Sequence, residues 1–318
     1  MIISFGLFFF GRFAYFFTSN ADKMASLRLK PLRREFANTV FTHHSHQFAS
    51  FVVKLFSSLI RSILLKQSYP ILEFDSAREA MLEPRHFGKG NDFPEHCVLC
   101  FFDEVLSKLP QTGRAKKTGR LFSAMGAHPV FQIKFDGKPV VVFHPGMGAP
   151  FAAVMLEELI ASGCHKFIAC GGAGVLDSNI AVGQIVVPTH AVRDEGTSYH
   201  YLPPGREAEA SPEAISAIEK ILQKGNIPYR LGKTWTTDAV YRETAAKVAL
   251  RKAEGCCVVE MEAAAFFAIA HFRQVHFGQI LYGGDDLGGE AWQHRNWTRA
   301  TTTREKLFWL AAEACLAI

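Results

Sequence analysis

The feature that most constrains this chain is Val258-Val259-Glu260-Met261-Glu262, which runs without a break into Ala263-Ala264-Ala265-Phe266-Phe267-Ala268-Ile269-Ala270. Two carboxylates flank a methionine where an apolar extended run gives way to small residues of helical character. Side chains alternate along a strand, so Glu260 and Glu262 share one face and Met261 takes the other. Carboxylates are seldom buried without a partner, yet these two stand inside a run that otherwise belongs to a core. A strand end that opens onto a helix is where open α/β sheets hold their ligands. The plainer reading gives the acids only the favourable electrostatics of a helix's first turn.

The rest of the chain alternates strands with helices. Apolar extended runs are expected at Cys97–Phe102, Phe131–Phe135, Val140–Phe143, Phe167–Cys170, Ile185–Pro188 and Gln279–Tyr282. Helical patterns are expected from Asp103 toward Leu109, through Leu156–Leu159 to a stop at Gly163, and at 212–224, 243–253, 262–271 and 303–316. Asp136-Gly137 between two apolar runs is a hairpin signal. Gly113 to Arg120, rich in Lys and Arg, is expected to be a solvated loop. This alternation predicts an α/β fold, a three-layer α/β/α sandwich around a central, mostly parallel mixed sheet.

Charge divides the chain. Residues 1–66 carry nine Lys or Arg and two acids, leaving 26 basic residues against 28 acidic in 67–318. The basic balance therefore belongs to an N-terminal extension, and the body lacks the positive excess a nucleic-acid-binding surface needs. Residues 1–17 are almost wholly apolar but short for a membrane span. The acid-poor, amphipathic stretch that follows has the composition of a targeting segment, or of upstream sequence absent from the mature protein. The expected domains are thus an extension, 1–66, and one body, 67–318. The expected location is the cytoplasm, or an organelle if the extension targets. Seven cysteines, most within apolar runs, suggest reduced core thiols. Cys97-x-x-Cys100 has no second pair, and no ligand cluster implies a metal.

Two glycine-rich stretches follow strands: Gly146-Met147-Gly148-Ala149-Pro150 and Gly171-Gly172-Ala173-Gly174. Glycines there let backbone N–H groups approach an anion or a sugar. Neither continues as G-x-G-x-x-G, and no P-loop or G-x-S-x-G elbow is present, which argues against dinucleotide, P-loop and serine-hydrolase chemistry. Gly283-Gly284-Asp285-Asp286 closes another strand, where Asp and Gly also suit a plain turn.

The segment Val259-Glu260-Met261-Glu262-Ala263-Ala264-Ala265 closely resembles the ribose-binding segment of the nucleoside phosphorylase superfamily, and the likeness extends, with gaps, from about Ser68 to the C-terminus. The resemblance implies an enzyme that cleaves the N-glycosidic bond of a purine or pyrimidine nucleoside. Phosphorolysis would yield free base and ribose 1-phosphate. In that light Met261 packs on the sugar and Glu262, next to Glu260, bonds its hydroxyls. Asp285 stands where purine-cleaving members protonate the departing base, a role worth typically 10²–10⁴-fold, with Asp286 as the neighbour that would raise its pKa. Thr236-Thr237-Asp238-Ala239-Val240-Tyr241 resembles the base-pocket segment, with Val240 at the usual aromatic position and Tyr241 beside it. Gly146, Met147 and Gly148, with Gly171 and Gly172, resemble the loops that line the acceptor side. Arg193 to Pro203 is similar to a segment of uridine phosphorylase-like members.

The departures concern the acceptor. Phe101-Phe102-Asp103-Glu104-Val105 replaces a Gly-Asp-Pro-x-Arg type loop, Ala169 stands where a second phosphate arginine is usual, and Gly172 replaces a hydroxyl residue. A phosphate dianion without these would rest on backbone amides. Glu104-Val105, in turn, resembles a nucleosidase segment in which a glutamate activates water, so hydrolysis through Glu104 is the alternative. A catalytically reduced nucleoside-binding relative is a further one. No cofactor is implied; phosphate is a co-substrate if phosphorolysis holds, and the partners are a nucleoside, phosphate or water, and further copies of the chain in a homo-oligomer.

Overall fold

In the computed structural model three adjacent strands present their residues alternately to two cores. Cys97, Leu99, Val141, Phe143, Phe167 and Ala169 enter one core, while Val98, Cys100, Val140, Val142, Ile168 and Cys170 enter the other. The structure describes residues 65–87 and 92–318, and Leu65–Ile318 form one compact unit. Apart from Leu65 and Lys66, the proposed extension and its targeting character lie outside the described residues.

The strands are β1 (His96–Cys100), β2 (Ala115–Ser123), β3 (Gly126–Phe135), β4 (Lys138–Phe143), β5 (Lys166–Val175), β6 (Ile185–Asp194), β7 (Glu207–Glu209), β8 (Tyr229–Thr237), β9 (Cys256–Glu260) and β10 (His276–Asp286). The helices are α1 (Asp103–Gln111), α2 (Ala149–Ala161), α3 (Pro212–Lys224), α4 (Ala245–Ala253), α5 (Ala263–Arg273) and α6 (Thr301–Leu316). Helices α2 and α5 supply the first core; α1, α3 and α6 supply the second. This is the expected three-layer α/β/α sandwich. Helix α5 packs so closely because its first eight residues, Ala263 to Ala270, are all buried, five of them alanine. Each fully buried Phe, Leu or Ile contributes roughly 1.5–3 kcal/mol, and Phe143, Phe167, Phe266, Phe267, Phe277 and Phe308 are all below 2 % exposed.

The sheet is evenly mixed. Strand β1 pairs in parallel with β4 and β5, β5 with β10, β6 with β8 and β8 with β9; the pairs β2–β3, β3–β4, β5–β9, β6–β7 and β6–β10 are antiparallel. Because β5 pairs with both β9 and β10, the strands β5, β10, β6, β8 and β9 close a ring, and β1, β4, β3 and β2 extend from it.

Three local expectations need correction. The basic stretch at 113–120 is largely strand β2, which pairs with β3 and so takes backbone partners that its polarity hides. Gly171-Gly172-Ala173-Gly174 is not a loop: it continues β5, with Gly171 opposite Leu281 and Gly172 opposite Tyr282. Gly283 to Asp286 likewise continues β10 rather than forming a turn. The hairpin at Asp136-Gly137 is present, with both residues at positive φ (47° and 76°) as a two-residue turn of matching twist requires.

Candidate active site

A break in the strand pairing builds the site. Strand β1 pairs with β5 up to Cys100–Cys170, and β9 joins that strand in the opposite sense only at Gly174–Val259. Gly171 to Ala173 therefore have one edge without a strand neighbour among the described residues. Extending the antiparallel register carries Glu260 to Glu262 past this edge, while the chain leaving β4 brings in Gly146 to Gly148. A crevice at a point where neighbouring strands part is the usual ligand position of such sheets.

The two glutamates divide the labour. Glu260, 7 % exposed, is filled by four protein donors: Thr236 Oγ1 at 2.6 Å and Thr234 Oγ1 at 3.3 Å to Oε1, and the N–H groups of Glu262 at 2.7 Å and Ala263 at 2.6 Å to Oε2. It caps the start of α5 and holds the turn; it has little capacity left for a sugar. Glu262 accepts from the Gly148 N–H at 2.6 Å. Burial first, then the charge of Glu260, pushes the Glu262 carboxyl up to about 8, and burial raises Glu260 as well against the pull of its donors. Met261 is half-buried between them.

Gly146 and Gly148 have φ of 82° and 88°, which turns the Gly148 N–H toward Glu262. A Cβ on Gly146 would come within 2.1 Å of Phe151 Cδ1, so only glycine fits. Met147 is 76 % exposed. His144, which the sequence reading passed over, accepts from the Gly146 N–H through Nδ1 at 3.0 Å and meets Phe101 edge-on, with centroids 6.3 Å apart. Burial lowers its pKa, favouring the neutral ring this contact needs.

Asp285, the penultimate residue of β10, lies near Gly174: its Oδ1 is 3.6 Å from where a Cβ on that glycine would stand, and Oδ2 accepts from Trp292 Nε1 at 2.7 Å. Asp286 points elsewhere. It accepts from Ser178 Oγ at 3.1 Å and the Gly288 N–H at 2.7 Å, and Arg295 lies 3.8 Å away. These partners give Asp286 a structural role in the turn after β10. The carboxyl that senses Asp285 is instead Glu243, which burial and then the charge of Asp285 push up to about 7. The expected base-pocket residues are open: Val240 is 45 % and Tyr241 95 % exposed.

Glu104 lies in the first turn of α1, where Arg304 Nη1 donates to its Oε1 at 2.7 Å. Burial would raise its pKa, but the Arg304 bond, its own backbone N–H and the Arg304 charge outweigh that and hold the carboxyl below its ordinary range. Arg304 also donates through Nε to Tyr282 Oη at 3.0 Å. Among the described residues no group of three or more His, Cys, Asp or Glu is placed to hold a metal.

A family model described as the phosphorylase superfamily matches residues 95–316. The chain belongs to the phosphorylase superfamily. Its relatives include a guanosine phosphorylase of Halorubrum lacusprofundi, 30 % identical over 143 residues, covering 45 % of this chain and 59 % of that protein. A uridine phosphorylase of Thermococcus kodakarensis is 34 % identical over 108 residues, covering 34 % and 39 %. The match thus spans between about two fifths and three fifths of these relatives' length. Solved structures share the fold. A purine nucleoside phosphorylase from Toxoplasma gondii has a TM-score of 0.62 at 20 % identity, covering 70 % of this chain and 91 % of that one. A uridine phosphorylase from Vibrio fischeri has 0.62 at 18 %, covering 76 % and 100 %.

Within this superfamily member the structure joins Glu262 to Gly148, places Asp285 beside Gly174, and ties Glu104 through Arg304 to Tyr282, whose ring lies against Gly172. Sequence reasoning missed His144, Glu243 and Arg304, and read Thr236 only as part of a base-pocket segment. Only His144 carried a local signal, standing two residues before the glycine turn. Arg304 sits in an ordinary helical run, and nothing short of the fold brings it to Glu104.

Proposed function

We propose that this chain cleaves the N-glycosidic bond of a nucleoside by phosphorolysis, releasing the free base and ribose 1-phosphate. The observation that carries the reading is Glu262, a buried carboxyl held by the Gly148 N–H beside the glycine edge of β5. Ribose hydroxyls donate to Glu262, which orients the sugar and stabilises the positive character that grows on it as the bond breaks. A phosphate oxygen attacks C1′ from the glycine edge, the C1′–N bond breaks, and its electron pair goes to the base. Asp285, oriented by Trp292, delivers the proton the base takes up.

Water as the attacking group is disfavoured by Glu104. A general base must be free to take a proton, whereas this carboxylate is paired to a guanidinium and held below its ordinary pKa. The family membership supports the phosphorolytic reading and leaves the choice of base open. The test incubates the protein with purine and pyrimidine nucleosides, with and without phosphate, and separates ribose from ribose 1-phosphate by chromatography. Ribose 1-phosphate formed only with phosphate is expected. Free ribose released at the same rate without phosphate would refute the proposal.

A further inference from the structure

The crevice presents a charge problem. Phosphate is close to a dianion at neutral pH, and Gly171, Gly172 and Ala169 bring it no side-chain cation. The turn after β1 offers two acids, Asp103 and Glu104. Backbone amides alone are a weak hold for such an ion compared with a guanidinium.

Arg304 stands where a cation is wanted. It lies in the first turn of α6, far along the chain from every glycine of the site, and its side chain is 12 % exposed. Its guanidinium is pinned over three rings, Phe102 at 5.5 Å, Trp297 at 5.4 Å and Tyr282 at 5.9 Å. Nε donates to Tyr282 Oη at 3.0 Å. That tyrosine, paired with Gly172 on the neighbouring strand, lays its ring over the face of the glycine: its Oη is 3.4 Å, and its nearest carbons 3.2 Å, from where a Cβ on Gly172 would be. Arg304 is thus linked to the face of Gly172 through Tyr282 Oη, 3.0 Å from its Nε and 3.4 Å from that Cβ position. A guanidinium carries five N–H donors, of which one is spent on Tyr282 and one on Glu104.

We propose that Arg304 supplies the positive charge that holds the acceptor phosphate, and that Glu104 is its built-in counter-ion, which phosphate displaces or shares. The inference rests on the phosphorolytic reading and deepens it. The three rings and Tyr282 fix the guanidinium beforehand, so little side-chain freedom is lost when the ion arrives. Glu104 keeps the cation neutralised while the crevice is empty, and it competes for it once phosphate is present. Its position in the acceptor turn then follows from charge balance rather than from activation of water. Gly172 lacks a side chain because any Cβ would crowd the tyrosine that carries Arg304 into place.

The experiment titrates inorganic phosphate alone into the full chain by calorimetry, and separately measures KM for phosphate and for nucleoside. Arg304→Gln is expected to weaken phosphate by roughly 10–100-fold, the usual range for losing a hydrogen bond to a charged group, and to leave the nucleoside KM within about twofold. Arg304→Lys should recover part of the loss, since it restores charge without the fork. Glu104→Gln should tighten phosphate, because it removes the competitor. A merely structural arginine would lower stability or alter both KM values together, and Glu104→Gln would then leave phosphate unchanged or weaker. Phosphate affinity equal in Arg304→Gln and the parent overturns the inference while leaving phosphorolysis intact. Absence of any phosphate heat, with ribose as the product, overturns both.

Discussion

Replacing Glu262 with glutamine separates what this carboxyl costs the fold from what it does for a ligand. Burial and the Glu260 charge raise its pKa from 4.5 to about 8. A folded pKa above the unfolded one means that folding favours the protonated form. The stability this provides is complete below about pH 4.5 and is lost as the pH rises toward 8. The difference corresponds to on the order of 3–5 kcal/mol at this depth of burial. Glutamine keeps the shape and the acceptor for the Gly148 N–H but does not titrate. Glu262→Gln should therefore match the parent in urea denaturation near pH 5 and exceed it by a few kcal/mol near pH 9, a gap well beyond the error of linear extrapolation. Groups that do not interact with Glu262, Glu243 among them, are common to both proteins and cancel in the comparison; Glu260, whose charge meets that of Glu262, contributes to the same difference. Above about pH 8, where Glu262 is ionised, the same variant should bind nucleoside roughly 10–100-fold more weakly, because hydroxyls would donate to a neutral amide oxygen instead of a carboxylate. Parallel stability curves for the two proteins between pH 5 and 9 would refute the argument, since they would mean that Glu262 pays no penalty for its place.

Two further substitutions probe the frame that holds Glu262. Glu260→Ala removes the acceptor for the buried N–H groups of Glu262 and Ala263, at about 1–3 kcal/mol for each orphaned donor, so denaturation should show a loss of about 2–6 kcal/mol, and a loss below 1 kcal/mol would show that water replaces the carboxylate. Gly146→Ala forces a φ of 82° on a residue with a Cβ and drives that atom to 2.1 Å from Phe151, so nucleoside KM should rise while circular dichroism stays native, and an unchanged KM would show that the turn does not position Gly148.

The sandwich was legible because its signals are local. Alternating apolar runs gave the central strands, and Asp136-Gly137 gave a hairpin whose left-handed backbone few other pairs adopt. The strand ends were legible only in part. Gly171 to Gly174 and Gly283 to Asp286 look like turns in sequence, because glycine and aspartate break strands on average. Here they continue β5 and β10, which pair with each other across Gly171–Leu281 and Gly172–Tyr282. Pairing between distant segments overrode local propensity, and no short window of sequence records it. The even mix of parallel and antiparallel pairs has the same origin, since β9 meets β5 in the opposite sense only because the ring closes.

The site shows the same division at the level of single side chains. Glu260 and Glu262 share one sequence motif and invite one role, yet their surroundings separate them. One carboxylate is saturated by Thr234, Thr236 and two backbone amides, and the other is met by the backbone of Gly148 and Met261 alone among these donors. What distinguishes them is donors brought by β8 and by the chain after β4, which the motif does not contain. Asp285 and Asp286 diverge likewise, toward Trp292 and toward Ser178 and Arg295. Glu104 is the sharpest case. In sequence it is an acid at a helix start, open to service as a base. In the fold a guanidinium from α6, two hundred residues away, lowers its pKa and takes its lone pair. A carboxylate's chemistry is set by the charge opposite it, and for Glu104 that charge arrives from the far end of the chain.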